Sequence, residues 1–437
     1  MKKRIIIGLA LPLCVFPAFA KGGRAEVKEH LRQHYHLYGF VRDYLSLDTR
    51  ESKSGTVDEF YYLPKDRLWN EDHTEDLNER LSLRYVALTT RLGVDVDSYQ
   101  VSRTRFGGRV EGDFFCLNGT SAAFRMRHAY ATIEWDSLAM GREGKTARVQ
   151  LLLGQGWHPI SVGNLSDISP NYGAPFNAHN RSPQITMRAE MDGKYEITAS
   201  LIWQMQYLST GPEGPSMNYM KYSCTPEAYV GFSVKNKGWH FHAGADVLSI
   251  KPRVTGTNAN GVTVRVSDRL TTVNPCVFLE YRNRDLQVAV KSVPYSSAGE
   301  HLYLMSGYAT TRTYADGHSD YTPIHCASSW LSVLYGRKWQ CGLMLGYTEN
   351  LGSGRAVESP EQVYFNSNGY VNLNRLCRIV PSVCYNAGHF TVGVQYQYTA
   401  ALYGDTEGAF DTASARYLEG EHWVSNHRTE AMFKYRF

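Results

Sequence analysis

From Tyr195 to Tyr207 the chain alternates almost without a break. Tyr195, Ile197, Ala199, Leu201, Trp203, Met205 and Tyr207 form one row, and Glu196, Thr198, Ser200, Gln204 and Gln206 the other, with Ile202 as the exception. A period of two is the signature of a β-strand with one apolar and one polar side. Phe390 to Ala400 repeats it, with Val392, Val394, Tyr396 and Tyr398 opposite Thr391, Gln395, Gln397 and Thr399. Shorter copies fall at 88–97, 106–115, 129–135, 148–154, 185–191, 228–234, 239–247, 277–282 and 286–291. The chain closes on another, with Ala431, Phe433, Tyr435 and Phe437 against Met432, Lys434 and Arg436. A soluble sandwich alternates in the same way, so the period alone leaves two architectures open.

The connections discriminate between them. Very short polar turns (Asp192-Gly193-Lys194, Asn236-Lys237-Gly238, Asn283-Arg284-Asp285, Gly336-Arg337-Lys338 and Gly388-His389) alternate with long polar loops near 51–79, 156–183, 208–226, 252–273, 295–327, 350–373 and 403–427. Short turns on one side and long loops on the other are the mark of a transmembrane barrel. The expected fold is therefore all-β: a transmembrane antiparallel up-and-down β-barrel over 38–437. Counting from a first strand near Tyr38 to Asp48 gives 16 strands, with 14 to 18 compatible, and puts every short turn on the same side. The last strand ends at Phe437, and that ending looks like the assembly signal of bacterial outer-membrane barrels.

Composition agrees. Mean hydropathy is −0.37, and beyond the first residues no apolar run approaches the roughly 20 residues of a membrane helix. Thirty Tyr and eight Trp supply rings of the kind that gather at membrane interfaces. At the start, Lys2, Lys3 and Arg4 precede an apolar stretch from Ile5 to Phe16 and then Ala18-Phe19-Ala20. This reads as a Sec signal peptide over 1–20, followed by a short periplasmic segment over 21–37. The 46 basic residues include the three of the leader, so against 42 acidic ones the remaining charge is near neutral and suggests no nucleic-acid partner. Apart from Cys14, the cysteines (116, 224, 276, 326, 341, 377 and 384) are odd in number and without metal spacing, so neither a disulfide framework nor a metal centre is expected.

A barrel of this size encloses water rather than a packed core. Arg91, Asp95, Asp97, Arg105, Arg109, Glu111, Asp113, Arg148, Arg188, Glu190, Glu196, Gln204, Gln206, Arg378, Lys434 and Arg436 are expected to face inward. Facing hydrocarbon, each Arg or Lys would cost about 2–4 kcal/mol near the midplane. Lys434 and Arg436 are placed near the periplasmic mouth, away from the third loop. His240-Phe241-His242 sets two imidazoles on one strand face, which is too few for a metal site. No local nucleophile motif points to a hydrolase. Exposed loop tyrosines such as Tyr207, Tyr219 and Tyr222 leave a surface adhesin or scaffold as the competing class.

Glu111-Gly112-Asp113-Phe114-Phe115, Arg125-Met126-Arg127-His128-Ala129-Tyr130 and Leu153-Gly154-Gln155-Gly156-Trp157 occur in that order. They resemble the EGDFFG … RLRHAY … VGQTW succession of DcaP-like trimeric porins, with Tyr38-Gly39-Phe40-Val41 and Ser182-Pro183-Gln184 as flanking similarities. The resemblance spans about 38–190. It implies an outer-membrane diffusion porin without catalysis or cofactor, a homotrimer whose partners are small hydrophilic solutes, outer-membrane lipids and the barrel assembly machinery. It also implies that lumenal arginines, here Arg105, Arg109, Arg125, Arg127, Arg148 and Arg188, attract small organic anions such as dicarboxylates. The third loop, about 158–181, would fold inward as a constriction carrying His158, Asp167, His179 and Arg181.

Two features depart from that pattern. Only about 17 residues separate the leader from the first strand, too few for a long trimeric coiled coil, so a trimer would form through the barrel walls. Arg125 and Arg127 share parity with Ala129, Ala131 and Ile133, which should face lipid. Either a bulge near Arg127-His128 resets the register, or one of the two arginines lies outside the pore.

Overall fold

The computed structural model describes residues 34–55, 58–117, 121–140, 145–163, 165–297, 305–365 and 369–437. The expected leader and most of the segment after it lie outside the described residues. Sixteen antiparallel strands close into a barrel. In chain order they are β1 (Tyr35–Asp48), β2 (Ser82–Val86 with Arg91–Val101), β3 (Thr104–Leu117), β4 (Ser121–Met140), β5 (Lys145–Trp157) and β6 (Arg181–Met191). β7 (Tyr195–Ile202), β8 (Glu227–Asn236), β9 (Trp239–Ile250), β10 (Leu270–Arg282) and β11 (Leu286–Ser297) follow. β12 (Ser319–Gly336), β13 (Trp339–Ser353), β14 (Leu373–Ala387), β15 (Phe390–Tyr403) and β16 (His422–Arg436) complete the circuit. The expected count and the position of every short turn hold.

Closure is a ladder between the first and last strands, from Phe40 opposite Arg436 to Asp48 opposite Arg428. The ladder fixes the two faces: Val41, Leu45, Phe433 and Tyr435 are exposed outward, while Arg42, Tyr44, Ser46 and Glu430 turn inward and are buried. Phe437 caps the seam through reciprocal backbone bonds with Gly39, each 3.2 Å. A side chain at Gly39 would meet the Arg91 carbonyl oxygen at 2.5 Å and the Phe437 ring at 2.6 Å. Gly39→Val is therefore expected to cost about 1–3 kcal/mol by overpacking. The readout is an earlier collapse of the folded, fast-migrating band when the purified barrel is heated in detergent.

Two strands differ from the sequence expectation. The alternation at 195–207 outruns its ladder, because β7 ends at Ile202, opposite Glu227, the first residue of β8. Beyond it Gln204 folds back on Ser209, accepting from its N–H at 2.8 Å and donating to its Oγ at 2.9 Å. The segment expected over 88–97 starts only at Arg91, because residues 87–90 loop out of β2. There Thr89, at φ +62, turns its side chain into the lumen. A β-branched residue is costly in that backbone region.

The lumen is not simply wet. A hairpin of the first loop (Ser52–Gly55 with Phe60–Pro64) and residues 158–163 and 165–180 of the third loop lie inside the barrel, anchored to inward side chains. Arg378 on β14 donates to Tyr62 O at 2.5 Å, Tyr403 on β15 to Pro64 O at 2.7 Å, and Arg428 on β16 to Asp58 O at 2.6 Å. Leu63, Ile160, Phe176 and Ala178 from the two loops pack with Phe278, Trp330, Met344, Leu376, Val380 and Ala401 from the wall. β10 and β12–β15 thus carry apolar side chains among the polar ones on their inner faces too, which corrects the expectation of a water-lined interior all round. Burying this inner apolar surface is favourable only because the loops cover it.

Candidate functional site

The third loop leaves β5 and traverses much of the inner wall. His158 Nε2 meets Glu227 Oε1 of β8 at 2.8 Å. Lys291 of β11 donates to Ile160 O and to Asn177 Oδ1. Ser166 N–H donates to Ser332 Oγ of β12, and Ile168 N–H to Gln395 Oε1 of β15. At its far point Tyr44 Oη of β1 donates to Ile168 O at 2.7 Å. The loop is therefore held at both ends and along its length.

The four candidate residues of this loop serve to hold it. His158, Glu227 and Asp246 are all buried, with ligand-type atoms within 4.8 Å of one another. His158 Nδ1 accepts the Ile160 N–H at 3.1 Å, so in this tautomer Nε2 carries the proton and donates to Glu227. As it stands the trio is a hydrogen-bonded pin at the loop's root. Asp167 caps its own turn, accepting from Ser169 N, Gly173 N and Gln395 Nε2. His179 donates through Nδ1 to Asn171 O and accepts from Arg181 at Nε2. Burial and the Arg181 charge keep that imidazole neutral, well below its usual range. Arg181, also buried, lies 4.8 Å from the Trp157 ring centre and donates to Tyr207 Oη. Of the two histidines on one face of β9, His242 is engaged at both nitrogens, by Tyr229 Oη and Ser233 Oγ.

The six candidate arginines all reach the inner wall of β3–β6. The register conflict at β4 is resolved by a bulge: Glu111 faces His128 while Gly112 faces Met126, leaving Arg127 as the extra residue. Arg125 and Arg127 consequently point inward together, and Tyr130, Thr132 and Glu134 continue the inner row. Carboxylates meet five of the six. Arg109 grips Asp95 at 2.6 and 2.8 Å, and Arg125 grips Asp113 at 2.9 and 3.2 Å. Arg127 bridges Glu111 and Asp113, both at 2.8 Å. Arg105 and Arg148 share Glu134, and Arg105 also reaches Asp136. Arg188 donates to Gln150 at 3.2 Å. Part of this wall, from Asp95 and Arg105 to Arg148 and Gln150, bounds a cavity of about 320 Å³. Its charges nearly cancel, so it polarises the wall without giving it one sign.

No protein-family model matches the chain, and no curated protein matches it. Among solved structures it is similar to the outer membrane channel DcaP of Acinetobacter baumannii, at 16% identity and a TM-score of 0.62, covering 92% of this chain and 97% of that one. The barrel has the porin fold. It is also similar to OmpT of Vibrio cholerae, at 13% identity, TM-score 0.51 and the same coverages. Salmonella typhi OmpF, in complex with daunomycin, matches at 11% identity, TM-score 0.50 and again 92% and 97%. At these identities the likeness is one of fold.

Within this porin fold, the sequence reading missed the hairpin of the first loop and the residues behind it. Arg42 donates twice to Thr89 Oγ1, which in turn donates to Glu59 Oε1. Burial pushes the Glu59 carboxyl up to about 7 against the pull of Arg42. Tyr172, near the far point of the third loop, faces the same region. Burial raises its phenol, but Arg91, Arg42 and Arg127 outweigh that and hold it below the usual tyrosine range. Arg42 shares the polar row of Tyr44, Ser46 and Asp48, which was the available signal.

Proposed function

We propose that this chain is an outer-membrane diffusion porin that passes small hydrophilic solutes down their gradient, without catalysis, and favours small organic anions such as dicarboxylates. The observation that carries the reading is the closed 16-strand barrel with an apolar outer belt and the third loop fastened inside it. Outward Leu37, Leu83, Tyr85, Val110 and Phe124 suit contact with lipid or with a neighbouring wall, consistent with a homotrimer in the outer membrane. The chain would arrive there by way of a cleaved leader and the barrel assembly machinery. The route for solute runs along β16 and β1–β6, the part of the wall that keeps its charge.

Purified protein in a planar bilayer provides the test. Stepwise conductance is expected, with a reversal potential in a salt gradient that favours the anion. A preparation that is folded but silent would remove the porin reading, and a cation-favouring reversal potential would remove the anion preference alone.

A further inference from the structure

The six arginines of β3–β6 are a poor source of anion preference, because nearly every one is spent on a carboxylate. Positive charge in excess of its carboxylate partners lies elsewhere, at the seam where the barrel closes. Arg42 on β1 stands directly opposite Lys434 on β16, and Phe40 stands opposite both Arg436 on β16 and Arg91 on β2. Three of these cations gather around one ring: Lys434 Nζ, the Arg91 guanidinium and the Arg42 guanidinium are 4.5, 4.9 and 5.0 Å from the Phe40 centre. Like charges directly opposite one another across a ladder are destabilising, so this arrangement calls for a compensating ligand or a function.

The nearby carboxylates do not supply the compensation. Glu111 lies 3.6 Å from Arg91 Nε, but its Oε1 already accepts from Arg127 at 2.8 Å and its Oε2 from Tyr38 at 2.9 Å. Glu59 reaches Arg42 only through Thr89. Arg91 Nε is buried without a hydrogen-bond partner. Among the described residues, neither Lys434 Nζ nor the Arg436 guanidinium has a hydrogen bond or ion pair. Thr89, in its strained backbone conformation, orients Arg42 from behind.

The location also fits. The third loop meets β1 at Tyr44, two positions from Arg42, so the cluster sits just on the periplasmic side of that contact. The sequence had set Lys434 and Arg436 apart from the third loop; closure of β16 on β1 sets Lys434 opposite Arg42, two positions from the loop's contact at Tyr44.

We propose that Arg42, Arg91, Lys434 and Arg436, arranged around Phe40, form a binding site for small multivalent anions, with dicarboxylates and inorganic phosphate sharing the required chemistry. The proposal rests on the porin reading and assigns its anion preference to specific residues. A two-charge anion spans two or three of the cationic heads at once, where a chloride ion meets one.

The test uses the full-length protein in a planar bilayer. Succinate or inorganic phosphate, added separately, should produce brief interruptions of the open current, more frequent when added on the periplasmic side. Lys434→Gln with Arg436→Gln should abolish the interruptions and lower the anion-over-cation permeability ratio by about threefold or more. Asp95→Asn with Arg109→Gln, which removes one charge of each sign from a compensated pair on the neighbouring strands β2 and β3, should shift that ratio less. Interruption by succinate alone or phosphate alone shows which anion the site accepts, and either supports the site. Unchanged interruptions in the Lys434/Arg436 variant, or a larger shift in the Asp95/Arg109 variant, would overturn the proposal. If the double variant does not fold, the single variants Lys434→Gln and Arg436→Gln decide it by the same two readings. Absence of channels in the unaltered protein would instead count against the porin reading itself.

Discussion

Asp113→Asn should destabilise the barrel by about 3–5 kcal/mol, because it strips a buried site of its charge and leaves two guanidiniums behind. Asp113 is 0% exposed and accepts from Arg125 through both oxygens and from Arg127 through Oδ2. Glu111 can balance only one of the two, and it already serves Arg127 and Tyr38. The amide keeps the shape of the carboxylate and loses its charge, so the change isolates electrostatics from packing. A denaturant titration in detergent reads the loss. Adding Arg127→Gln should recover part of it, since the second change removes the stranded cation. Equal stability of Asp113→Asn and the unaltered protein would mean that water, rather than Asp113, solvates these arginines.

Trp330→Ala should cost a comparable amount, about 3–5 kcal/mol, by a different mechanism. The indole is 2% exposed, lies 6.1 Å from the Phe278 ring and donates to Asn177 Oδ1 of the third loop at 3.3 Å. Gly163 of that loop, at φ +97, sits so close that a side chain there would reach the indole at 2.9 Å. Removing the ring therefore leaves a cavity beneath the loop and cuts one of its tethers. Current records should show more open-channel noise than the unaltered protein, with the largest conductance level raised. A stability loss without added noise would separate packing from gating and show that the remaining tethers at Lys291, Ser332 and Gln395 are enough.

The barrel was legible because lipid outside imposes one period on every strand. The rows at Tyr195–Leu201 and Val392–Tyr398 could be read without knowing any partner. The bulge at Arg127 was legible as a conflict of parity, although only pairing with Glu111 shows which residue is extra. The inner surface was less readable, since an inward position can meet water, a carboxylate or a loop, and alternation is silent on the choice. Phe278 and Trp330 point inward and are covered by the third loop, which alternation alone does not reveal. The candidate arginines lie on the inner face, but their neutralisation depends on cross-strand neighbours such as Asp95 opposite Arg109. Arg42 and Lys434 are nearly four hundred residues apart, and only closure makes them neighbours.

The apolar layer between the two folded-in loops and β10–β15 gives this barrel a thermal character of its own. A hollow barrel exchanges its outer apolar surface mainly with lipid, so water hydration contributes little to how its stability varies with temperature. Here Leu63, Phe176, Phe278, Trp330 and Met344 are shielded from water by protein, as in a soluble domain. Exposing them adds heat capacity, and with it curvature to the stability profile. The grip of the loops should accordingly be firmest at moderate temperature and slacken on cooling as well as on heating, while the outer wall stays intact.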